Sequence, residues 1–129
     1  MLTERRRCAV LGSPVSHSLS PVLHRAAYRH LGLDWTYTAH EVAEDELKGF
    51  LAGLDRSWRG LSLTMPLKRV GLELATQVSG LARAVGAVNT LLIEADGRLL
   101  GENTDVPGMV AAVGEHGGAG ARRCCVWGG

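Results

Sequence analysis

Long apolar runs, a secretion-type leader and metal-ligand spacings are all missing from this sequence. No stretch approaches the ~18 apolar residues of a membrane span, so a soluble chain with no membrane partner is expected. Arg5-Arg6-Arg7 leads straight into a short apolar run, which leaves no room for a signal peptide's apolar core. Cysteine is scarce and odd in number: Cys8, Cys124 and Cys125, with no CxxC pair. That excludes a disulfide framework or a zinc site and points to buried thiols in a reducing cytoplasm. The five histidines show no ligand spacing, so no metal is expected. A net charge of +1 gives no reason for a nucleic-acid or other polyanionic partner. No aromatic residue interleaves Arg5–Arg7, so that run reads as solvated flank.

What is present is a globular composition, with 46% hydrophobic residues over 129 positions. That length suits one core burying roughly two thirds of the unfolded surface. Strand-like and helix-like patterns alternate. Cys8–Leu11 reads as a strand, Pro21–Leu31 as a helix closed by Gly32, and Trp35–Ala39 as a second strand. Glu44–Leu54 has helical apolar spacing, and Gly60–Thr64 is a third strand, with Trp58 and Arg59 in the loop before it. A helix starts near Pro66, and another covers Gly80–Val85. Strand Ala87–Glu94 and Arg98–Leu100 flank Asp96-Gly97, a strong hairpin signal. Val106–Gly114 is a last helix. The expected architecture is α/β: a three-layer α/β/α sandwich whose sheet is mostly parallel with one antiparallel hairpin.

In such sheets ligands bind beyond the carboxyl ends of the strands. Four polar clusters fall where strands end or helices begin: Ser18/Ser20, Thr64/Lys68, Asn89/Thr90 and Asn103/Thr104/Asp105. Ser20 is placed to cap a helix, with Pro21 at its first position. The two serine hydroxyls then stand beside free N–H groups at the positive end of a helix, a site for a small carboxylate or simply an ordinary cap. Lys68 stands near a helix start, where a cation gains nothing from the dipole. Asp105 is either a helix cap or its partner. If the two meet, they form an acid–base pair suited to alcohol–ketone interconversion. An adjacent aspartate favours the charged lysine, so it suits Lys68 more as an oriented donor than as a free base; the proton's path stays open. Asn89 is either a strand-end residue or a partner for a substrate hydroxyl.

These segments resemble shikimate dehydrogenase almost end to end. Gly12-Ser13-Pro14-Val15-Ser16-His17-Ser18-Leu19-Ser20-Pro21 is similar to the family's N-terminal signature. Leu63-Thr64-Met65-Pro66-Leu67-Lys68 is similar to the segment bearing its catalytic lysine. Gly86-Ala87-Val88-Asn89-Thr90 and Asn103-Thr104-Asp105 complete the set, in order. The resemblance implies reversible, NADP-dependent reduction of 3-dehydroshikimate to shikimate in aromatic amino-acid biosynthesis. It implies that Ser18 and Ser20 bind the carboxylate and that Thr64, Asn89, Thr104 and Asp105 line the ring. It makes Lys68, with Asp105, the catalytic acid/base. It also divides the chain into a substrate-binding domain over 1–115, a glycine-rich linker over 116–121, and the first strand of a truncated NADP-binding Rossmann domain over 122–129. Gly128 and Gly129 would begin its phosphate loop. The chain alone is therefore expected to bind substrate, hold no NADP(H) and transfer no hydride, with self-association through 122–127 open to it. Ser62 stands where many members carry asparagine, and Val106-Pro107 where a glycine is common after the aspartate. Quinate or aminoshikimate dehydrogenase, and a non-catalytic binding or regulatory module, are the alternatives.

Overall fold

The structure is a computed structural model that describes residues 4–117 together with Gly120, Arg122, Arg123 and Cys125. Six strands form one sheet: β1 (Arg6–Gly12), β2 (Trp35–Glu41), β3 (Trp58–Leu63), β4 (Gln77–Val78), β5 (Thr90–Ile93) and β6 (Leu99–Glu102). Their order is β2-β1-β3-β5-β6-β4. β5 alone runs against the others, pairing antiparallel with both β3 and β6, so the expected hairpin sits inside a mostly parallel sheet. The helices are α1 (Ser20–His30), α2 (Leu47–Ala52, entered by a 3-10 turn at Glu44–Glu46), α3 (Lys68–Leu74), α4 (Gly80–Val85) and α5 (Asp105–Glu115).

Alternation along the strands sorts residues onto two faces. Ala9, Leu11, Leu61, Leu63, Leu91 and Ile93 point one way, into a core closed by Leu47 of α2, Leu67 just before α3 and Ala82 of α4. Cys8, Val10 and Tyr37 point the other way, where Tyr28 of α1 covers them. Gly32 follows α1 with φ +66°, a left-handed helix ending that suits glycine.

Several boundaries differ from the sequence expectation. Trp58 and Arg59 belong to β3 and not to a loop. A bulge between Arg7 and Cys8 in the β1–β3 register lets Trp58 join the same core as Leu61 and Leu63. Its indole stacks edge-on to Phe50 and lies under the Arg7 guanidinium. β4 has two residues, too few to leave a periodic signal. The helix expected near Pro66 begins at Lys68, after a turn closed by the Leu67 N–H donating to the Thr64 carbonyl. The stretch Ala87–Asn89 precedes β5, tied instead to Lys68, Glu102 and Leu63 through backbone hydrogen bonds. The strand expected over 122–127, and Gly128 and Gly129, lie largely outside the described residues.

Candidate active site

The loops that follow β1, β3 and β6 and the one that precedes β5 meet at a single end of the sheet. β5 is reversed, so its beginning lies where its neighbours end. All four anticipated polar clusters therefore converge. They line a cleft of about 340 Å³ that contains Ser18, Ser20, Thr64, Lys68, Asn89, Thr104 and Asp105.

Gly12 makes the first junction. A Cβ there would collide with Thr64 Cγ2 and sit 2.9 Å from the Met65 carbonyl oxygen. Without one, the Ser13 N–H donates to the Met65 carbonyl and the Thr64 N–H to the Leu11 carbonyl, each at 2.9 Å. These bonds bring Thr64 beside the loop that carries the serines. Both loops contain a cis proline bond, Ser13–Pro14 and Met65–Pro66.

Ser20 is the first residue of α1 and not its cap. Leu19 occupies the cap position, and the Ser18 hydroxyl accepts from the Ser20 N–H at 3.3 Å. Helix starts leave N–H groups without intrahelical partners, so the anion-binding logic survives with the two serines exchanging places.

Across the cleft, Lys68 Nζ donates to Asp105 Oδ2 at 2.8 Å, with both side chains partly open to solvent. The residues that sequence alone could not join are thus in contact. Asn103 explains why Asp105 is placed so well. It is buried, its amide donates to the Ala87 carbonyl at 3.1 Å, and its Oδ1 accepts from the Val106 N–H at 3.2 Å. Asn103, not Asp105, therefore satisfies the start of α5. Asn89 locks the same loop: its Oδ1 accepts from the Thr104 N–H at 3.0 Å and its Nδ2 donates to Thr104 Oγ1 at 2.8 Å.

One wall of the cleft, His24 and Ser62, went unmarked in the sequence, and Tyr37 backs it from a neighbouring cavity. Tyr37 is buried, and its hydroxyl lies 2.6 Å from Ser62 Oγ. Burial pushes the Tyr37 phenol above its ordinary value, against hydrogen bonds with Ser62 and Ser20 that favour ionisation. His24 stacks on the Tyr37 ring, with centroids 4.1 Å apart and planes 10° from parallel. The only trace of this wall in sequence is a tyrosine at an inward position of a strand. Its meeting with Ser62 depends on the β1–β2 and β1–β3 registers. Ser62 thus turns its hydroxyl to a protein partner.

The family model for the shikimate dehydrogenase substrate-binding domain matches residues 10–91. The chain belongs to that family. Among curated relatives, the NADP(+) shikimate dehydrogenase of Thermus thermophilus is 47% identical over 107 residues, covering 83% of this chain and 40% of the relative. That of Synechocystis is 48% identical over 103 residues, covering 79% of this chain and 35% of the relative. The crystal structure of a shikimate 5-dehydrogenase from Mycobacterium fortuitum superposes with a TM-score of 0.84 at 47% identity, over 88% of this chain and 43% of its own. The Thermus thermophilus enzyme, solved in complex with shikimate, gives 0.81 at 46% identity, over 87% of this chain and 43% of its own. The chain thus spans roughly 40% of the length of these relatives.

Among the described residues no cluster of metal-ligating side chains occurs, and no helix is long and apolar enough to cross a membrane. No glycine loop opening onto a helix follows β6 among them either, so nothing described forms a dinucleotide cradle.

Proposed function

We propose that these residues form the shikimate-binding part of an NADP-dependent shikimate dehydrogenase. The observation that carries this reading is the Lys68–Asp105 contact at the mouth of a cleft lined by every anticipated ring-binding side chain. A ring acid enters with its carboxylate at Ser18 and Ser20 and its hydroxyls toward Thr64, Asn89, Thr104 and Asp105. Interconverting a ketone and an alcohol moves one proton at the reacting oxygen. The Lys68 ammonium, oriented by Asp105, holds that proton as the oxygen gains charge and takes it back in the reverse direction. In the relatives, a bound NADP dinucleotide supplies the hydride. Residues 1–129 by themselves bind the acid and transfer none.

Retention of both Lys68 and Asp105 favours this reading over a non-catalytic module, which needs neither. A solved structure of a 5-ketofructose reductase from Gluconobacter also matches, at 28% identity and a TM-score of 0.80. The same scaffold thus accompanies another keto substrate, and competition among shikimate, quinate and aminoshikimate decides the acid. Tighter binding of quinate than of shikimate overturns the substrate assignment. The Cys8 thiol is free and buried, in keeping with a reducing cytoplasm. Self-association through 122–127 predicts a mass in solution that falls when residues 122–129 are deleted; an unchanged monomer mass rejects it.

A further inference from the structure

The carboxylate end of the cleft is built from hydroxyls and backbone N–H groups. The cleft's formal charges, Lys68 and Asp105, neutralise each other at 2.8 Å on the far side. His24 is the remaining titratable side chain in the lining. Its Nδ1 lies 2.9 Å from the Ser20 carbonyl oxygen. A carbonyl only accepts, so Nδ1 carries the hydrogen and Nε2 is the position left to take up a proton. One ring therefore touches the Ser20 backbone by hydrogen bond and, by its face, Tyr37, which backs Ser62 from the neighbouring cavity.

The surroundings fix the sign of a charge placed there. On α1, Tyr28 meets the ring edge-on at 6.1 Å, and the Arg25 guanidinium is tied to the Tyr37 carbonyl at 2.9 Å. From the sheet come the neutral Tyr37 phenol of β2 and Ser62 of β3. A neighbouring cavity of about 330 Å³, which His24 also lines, adds the Cys8 thiol, Arg59 and Thr90. The one carboxylate that shares the cleft, Asp105, is already held by Lys68. No acidic group bonds His24, so its protonated ring would stack on an aromatic face and place a positive charge in the cleft lining.

We propose that His24 is a positioning residue for the ring acid: it holds the Ser20 backbone in place and, when protonated, supplies the positive charge the carboxylate end otherwise lacks. This rests on the cleft being the ring-acid site. Affinity for a monocarboxylate should therefore be about three- to tenfold greater when the ring is protonated than when it is neutral, the gain of one partly screened charge at the site.

The test titrates the 129-residue chain with shikimate and with its neutral methyl ester at several values from pH 5.5 to 8, following backbone NMR shifts. His24→Asn keeps a side-chain amide for the Ser20 carbonyl without a titratable charge. His24→Phe keeps the stacked ring without the hydrogen bond. The expected result is pH-dependent binding of the acid by the parent, pH-independent binding of the ester, and pH-independent binding of the acid by whichever variant gives a dispersed spectrum. Acid binding by the parent that ignores pH, or an equal slope with the ester, overturns the proposal for His24 and leaves the substrate reading intact. Failure of the parent to bind shikimate at any pH overturns both.

Discussion

The two ends of the sheet carry clefts of opposite character. The larger, about 480 Å³, lies where β1, β3 and β6 begin. It is lined by Arg6, Asp55, Arg56 and Asp96, and three of these four are held by near neighbours: Asp96 by Arg98, Asp55 by Ser57, and Arg6 by Glu4 and the Arg56 carbonyl. The smaller lies where those strands end. It gathers hydroxyls, one amide, one imidazole and the Lys68–Asp105 pair from four separate loops, and Asn89 and Asn103 fix the loop that carries Thr104 and Asp105. Size does not distinguish a site; convergence of groups held for an absent partner does.

The largest effect should come from the core that joins the ends. Leu61 is fully buried between them, and Leu61→Ala should destabilise the fold by about 2–5 kcal/mol in denaturant titrations. Acid binding by the molecules that remain folded should stay within about twofold, since transfer and cavity costs fall on stability alone. Asn103→Ala should break the comparison at one end only. It leaves the Val106 N–H without its side-chain acceptor and the Ala87 carbonyl without its amide donor, at a cost of about 1–3 kcal/mol. It should also weaken acid binding, because Thr104 and Asp105 lose their anchor. Asp96→Ala at the opposite end should leave acid binding unchanged in the same titration. Lys68→Ala should change stability by no more than about 1 kcal/mol, because the pair is partly exposed. On the proposed reading it should nonetheless remove shikimate turnover from a longer chain that shows it.

The smallest expected effect is an alkaline loss of stability on the α1 face. Burial raises Cys8, Tyr28 and Tyr37 above their ordinary values. In the unfolded chain these groups ionise first, so the native state binds more protons over that window and stability falls as pH rises. Unfolding midpoints should be flat below about pH 8 and decline above it. Tyr28→Phe should flatten the decline; an unchanged slope would remove Tyr28 from the cause.

Much of this was legible in sequence because the signals are local. Asp96-Gly97 announced the hairpin, Gly32 the end of α1, and the serine, threonine and asparagine clusters announced the rim that holds the cleft. What sequence did not give depends on register. Trp58 reads as loop because a bulge, not its own type, sends it into the core. His24 and Ser62 are 38 positions apart, Tyr37 and Ser62 are 25 apart and His24 and Tyr37 are 13 apart, and only β2 and β3 flanking β1 in parallel, with α1 across them, bring the three together. Ser20 resembled a cap because Pro21 follows it, yet the chain places the cap one residue earlier.

The most direct measurement is a shikimate titration of the 129-residue chain read residue by residue in NMR spectra, with Ser18→Ala beside it. Saturable shifts at Ser18, Ser20, Thr64, Lys68, Asn89, Thr104 and Asp105, weakened in Ser18→Ala, are the predicted result. Shifts that gather instead around Arg6, Asp55 and Asp96, or a well-dispersed spectrum that does not respond, would contradict it.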